Sequence, residues 1–118
     1  MNLIKQLEND ILKQNFSPVY LLMGEEEFYI DHLTNLILNN AISEHEKDFN
    51  LSILYGKDTS ISHIISISKQ YPVMAERKLV IIKEAQELLK KDSDGNNLDD
   101  LVSYISNPLS STILILNV

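Results

Sequence analysis

Four short apolar stretches restrict the folds open to this chain. Val19 to Met23, Phe49 to Tyr55, Leu79 to Ile82 and Thr112 to Leu116 carry little polar alternation. That is the pattern of strands buried on both faces. Helical patterns separate them. Leu3, Ile4, Leu7, Ile11 and Leu12 share one helical face, with Pro18 marking the exit, and Tyr29, Ile30, Leu33, Leu36 and Ile37 form a second stripe. Ser60 is placed to cap a third helix through about Gln70, with Ile61, Ile64, Ile65 and Ser68 on one face. Its Ile-Ser alternation also fits a strand. Glu84 to Lys90 reads as a helix, KDSDGNN as a polar loop, and Asn97 as the cap of a helix bearing Leu98, Leu101, Val102 and Ile105. Asn107-Pro108 breaks that last helix. Strands alternating with helices predict an α/β fold: a three-layer parallel sheet covered on both faces.

A length of 118 residues fits one domain, and 44% apolar residues suffice for a core. There is no repeat, low-complexity tract or linker. The chain ends at Asn117-Val118, directly after a strand of buried type. Such a strand is expected to be followed by a covering helix, so residues 1–118 are read as a domain truncated after its fourth strand. No run of 18 apolar residues predicts a membrane span, and the start has no signal-peptide pattern. The absence of cysteine excludes disulfides and thiol chemistry and fits a cytoplasmic protein. The net charge is −7 and Arg77 is the sole arginine, which argues against a duplex-binding surface.

The first strand leads into PVYLLMGEEEFYID, residues 18–31. A strand, a glycine and a helix in that order are the layout of a phosphate-binding loop, G-x-x-x-x-G-K-[ST]. Counted from Gly24, the second glycine position holds Tyr29, the lysine position Ile30 and the hydroxyl position Asp31. Glu25, Glu26 and Glu27 fill the stretch whose amides would cradle phosphate, and three carboxylates repel a triphosphate. They suit the first turn of a helix instead. The metal-supporting acid of such a hydrolase is expected after the third strand, where Lys83 stands. The layout is thus that of a P-loop NTPase with a degenerate nucleotide site, without catalysis or cofactor. A strongly altered ATPase loop is the alternative from the enzyme class. A phosphorylatable receiver domain fits less well, because the third strand ends in Lys83-Glu84-Ala85 and offers no aspartate. His32, His45 and His63 are scattered without metal-ligand spacing, so no metal site is expected. Glu44-His45-Glu46 reads as a solvated loop.

The segment Tyr71-Pro72-Val73-Met74-Ala75-Glu76-Arg77-Lys78 lies between a helix and the third strand. Pro72 can open a short helical turn. Val73 and Met74 are adjacent apolar residues beside charged neighbours. They either fill the core or form an exposed apolar wedge for a protein partner, and each buried side chain of this kind contributes roughly 1.5–3 kcal/mol.

In PVYLLMGEEEFYID, DFNLSILYGKD, QYPVMAERKLVIIKEAQELLKK and LVSYISNPLSSTILIL, the chain resembles the N-terminal domain of the delta subunit of the bacterial DNA polymerase III clamp loader. The resemblance runs from about Phe16 to Val118. It implies a nucleotide-binding domain of the AAA+ type that has lost ATP binding, with the strands in the order first, fourth, third, second. It implies a non-catalytic module of DNA replication that binds the ring-shaped sliding clamp and helps open it. The other partners implied are the remaining clamp-loader subunits, with DNA met only through the complex. Any DNA polymerase activity would belong to the assembly. By position, the family's clamp-inserting apolar pair falls on Val73 and Met74, with methionine where phenylalanine is common. A generic α/β interaction domain is the remaining alternative.

Overall fold

The four apolar runs do become neighbouring strands. The computed structural model describes residues 3–90 and 96–118. Strands β1 (Val19–Leu22), β2 (Leu51–Tyr55), β3 (Lys78–Lys83) and β4 (Thr112–Asn117) form one sheet in the order β1-β4-β3-β2. Every pairing is parallel, with Val19 opposite Leu114, Leu51 opposite Leu79 and Lys78 opposite Thr112. This is the strand order that the resemblance implies.

The two central strands account for the absence of polar alternation. Leu79, Ile81, Ile113 and Ile115 point into one apolar core, while Val80, Ile82, Leu114 and Leu116 point into a second. The first core is closed by α1 (Leu3–Leu12) and α2 (Glu27–Ala41), through Ile11, Leu33 and Ile37. The second is closed by α4 (Ile61–Ser68) and α5 (Leu98–Ser106), through Ile61, Ile64, Leu101 and Tyr104. A four-residue helix, α3 (Lys47–Asn50), precedes β2. The three-layer arrangement follows from period-2 burial on both sheet faces.

Helix ends follow the capping chemistry in part. The Ser60 hydroxyl accepts from the His63 amide at 3.2 Å, and Asn97 Oδ1 accepts from the Asp99 amide at 2.9 Å. The exit from α1 is a correction. Gln14, not Pro18, ends it, by adopting φ 60°. The Gln14 amide then donates to Ile11 O at 2.9 Å and the Asn15 amide to Asp10 O at 2.8 Å, the paired bonds of a Schellman motif. Leu3 and Leu12 lie off the buried face.

Several boundaries also move. Phe49 and Asn50 belong to α3 rather than β2, while Lys78, Lys83 and Asn117 extend their strands. Met23 leaves β1 exposed, because Gly24 at φ 147° turns the chain there. Only Glu27 of the three glutamates sits in the first turn of α2, with Glu26 as its cap residue. Glu44–Glu46 is a 3-10 turn rather than a loop. The Ser43 amide donates to Glu46 Oε1 at 2.8 Å, the main reason that carboxyl is held below its ordinary value. The helix expected from Glu84 is a 3-10 helix over Ala85–Lys90, since Glu84 at φ 52° cannot start an α-helix. Of the expected polar loop, residues 91–95 lie outside the described residues. Asn96 bridges elements: its Oδ1 accepts from the Ile61 amide at 3.1 Å and its Nδ2 donates to Leu88 O.

Among the described residues no helix is long and apolar enough to cross a membrane, and no His, Cys, Asp and Glu cluster is spaced to hold a metal ion.

Candidate functional site

The residues marked by the sequence gather at opposite ends of the sheet. At the carboxyl ends of the strands lies the crevice where open α/β sheets take ligands. It is a cleft of about 350 Å³ whose lining includes Ile30 and Asp31 from α2, Tyr55, Lys83 and Glu84. Its charged lining is three carboxylates, Glu27, Asp31 and Glu84, against one ammonium, Lys83. Ile30 also packs on the first core, so its apolar side chain is turned partly inward. Tyr29 turns away to an exposed site, edge-on to Phe28 with ring centroids 5.3 Å apart. Gly24 lies at the bend itself, where its φ of 147° suits only glycine. The polar side chain at the end of β4 is internally engaged: Asn117 Nδ2 donates to Thr34 Oγ1 of α2 at 3.2 Å. The crevice therefore lies at the carboxyl ends of the strands with a mainly acidic lining.

The other end carries the turn from Gln70 to Lys78. Residues 71–77 contain no helix, so Pro72 opens a bend rather than a helical turn. Neither apolar residue of the turn fills the core. Val73 is 51% exposed and Met74 97% exposed, and Met74 has φ 53°, in the left-handed region that non-glycine residues avoid. The turn is nonetheless pinned. Asn50 Oδ1 accepts from the Val73 amide at 2.7 Å, and Asn50 Nδ2 donates to Val73 O at 2.9 Å. Asn50 Nδ2 also donates to Glu46 O at 3.0 Å. Lys78 Nζ donates to Gln70 Oε1 at 2.8 Å across the base of the turn. Lys78 is buried, and burial pushes its ammonium below its ordinary value. The guanidinium of Arg77 lies 4.8 Å from the ring centroid of Phe16, a cation–π contact with the segment before β1.

The structure thus separates Gly24, Tyr29, Ile30 and Asp31 from Val73 and Met74 by the length of the sheet. Asn50 and the Lys78–Gln70 pair escape a reading by motif. The available signal for Asn50 was an amide side chain immediately before an apolar run, where burial obliges it to find partners.

A four-stranded parallel sheet in this order, with an acidic crevice at one end and an exposed apolar turn at the other, defines a doubly wound α/β domain. Residues 20–118 match the family model described as DNA polymerase III, delta subunit, and the chain belongs to that family. The DNA polymerase III subunit delta of Bacillus subtilis (strain 168) is 32% identical over 107 residues, covering 88% of this chain and 31% of that protein. The solved structure of the Bacillus subtilis DNA clamp loader delta protein (YqeN) superimposes with a TM-score of 0.88 at 29% identity. That match covers 98% of this chain and 35% of the solved chain. The chain spans about a third of the length of the relatives it matches.

Proposed function

We propose that this chain is the clamp-binding part of a clamp-loader delta subunit, with an AAA+-type fold whose nucleotide site is degenerate. One observation carries the reading: the adjacent apolar side chains of Val73 and Met74 stand in solvent on a turn whose backbone is fixed. An apolar pair held this way costs hydration while free and gains it back in a pocket. Membership of the delta-subunit family supports the sliding clamp as the partner. Docking of Val73 and Met74 favours ring opening to the extent that the open ring binds more tightly than the closed one. The remaining clamp-loader subunits would engage the rest of the full-length protein, and DNA would be met through the assembly in the cytoplasm. The acidic lining of the crevice, with Ile30 in the lysine position and Lys83 in the metal-acid position, supports a chain without nucleotide binding or catalysis of its own.

Calorimetry with the cognate sliding clamp tests this. Val73→Asp combined with Met74→Asp should weaken binding by about 100-fold or more, from two lost apolar anchors of roughly 1.5–3 kcal/mol each. Circular dichroism should stay unchanged, since both residues are exposed. Unchanged affinity in a folded variant rejects the wedge. In a parallel titration with ATP and magnesium no heat of binding is expected, and micromolar ATP affinity would restore the enzyme class.

A further inference from the structure

We infer that Asn50 is the positioning residue that sets the Val73-Met74 turn in its binding conformation before any partner arrives. The inference rests on the reading of that turn as the clamp contact. Asn50 is 1% exposed and spends its whole side-chain amide on backbone groups. Its oxygen accepts from the Val73 amide at 2.7 Å and its nitrogen donates to the Val73 carbonyl at 2.9 Å. A side-chain amide thereby reproduces the two-bond pairing that a neighbouring strand would give, at a point where no strand runs. Few side chains offer a donor and an acceptor side by side: the carboxylate of aspartate lacks the donor, and leucine lacks both. The remaining amide hydrogen is anchored on Glu46 O at 3.0 Å. Asn50 itself is fixed, because it immediately precedes β2, and Leu51 at the start of β2 pairs with Leu79 of the central strand β3.

The backbone of the turn supplies the second observation. Met74 sits at φ 53°, and a non-glycine residue persists there only where its surroundings over-determine it. Both polar backbone groups of the preceding residue are held by Asn50, and the base of the turn is tied by Lys78 Nζ to Gln70 Oε1 at 2.8 Å. These restraints leave the wedge ordered without its partner, so association avoids the entropy of ordering it. Removing the Asn50 amide frees the turn while leaving both apolar side chains present.

The test uses the full-length protein encoded by its gene, with three readouts: amide hydrogen exchange, denaturant stability and clamp affinity. In the wild type without clamp, the Val73 amide should exchange at least 100-fold more slowly than an unprotected amide. Rapid exchange there overturns the proposal with no variant needed. In Asn50→Ala, the Val73 amide should exchange freely while the Leu79 amide of β3 stays protected, and clamp affinity should fall by about tenfold or more. If Val73→Asp with Met74→Asp abolishes clamp binding but Asn50→Ala, with a freed Val73 amide, binds as the wild type does, the positioning role is wrong and the wedge stands. If neither variant changes the affinity, the wedge reading itself is wrong and the role assigned to Asn50 goes with it.

Discussion

At Met74 the backbone conformation works against stability. The side chain is in water and gains nothing on folding, while the positive φ costs about 1 kcal/mol for an L-residue. Met74→Gly should therefore raise unfolding stability by at most about 1 kcal/mol, offset in part by the greater freedom of glycine in the unfolded chain, while weakening clamp binding about tenfold or more through the lost side chain. A stability gain with unchanged clamp binding would remove Met74 from the proposed interface. Lys78 makes a second residue-scale case. Its ammonium is buried against the neutral Gln70 amide and titrates below the ordinary 10.5. Between the lowered value and 10.5 the unfolded chain binds more protons than the folded one, so stability rises with pH across that window. Below it the burial penalty is fully present. Lys78→Met should flatten this rise, as urea titrations from pH 8 to 11 would report. In the sequence, Lys78 looked like one more charge beside the turn. Only the register that places it opposite Thr112 at the start of β3 buries it.

Among the elements, α4 shows how a local ambiguity resolves. Ile-Ser alternation fits a strand, yet Ile61, Ile64 and Ser68 are buried at helical spacing and the Ser60 hydroxyl caps the first turn. Ser60→Ala and Asn97→Ala should each cost about 1 kcal/mol in thermal or denaturant unfolding, since each leaves one helix-end amide without its acceptor. The hydroxyl and amide caps were legible because their chemistry is local. The ends of α1 and β3 were not. Gln14 and Glu84 take left-handed conformations that sequence usually announces with glycine. The start of β2 was misread because Phe49 looks like a strand residue, whereas Asn50 closes α3 and leaves Phe49 in solvent.

For the molecule as a whole, the layering was readable because β3 and β4 carry apolar residues at every core position, and only a doubly covered sheet buries both of their faces. The strand order came with the family resemblance rather than with periodicity, which is blind to which strands are neighbours. The candidate turn was readable in part: an apolar pair is visible in the sequence, but not that Asn50 bonds to Val73 from 23 residues away. The six residues of β3 run from that turn at Lys78 to the acidic crevice at Lys83, a distance of roughly 17 Å. Perturbations at the two ends share no partner side chain and should be energetically independent. A double-mutant cycle pairing Glu84→Gly, at the strained residue directly after β3, with Met74→Asp should give a coupling energy within about 0.5 kcal/mol of zero in unfolding experiments. A larger value would mean that strain at one end is transmitted lengthwise through β3. The central strand would then be a lever joining the two ends rather than an inert spacer between them.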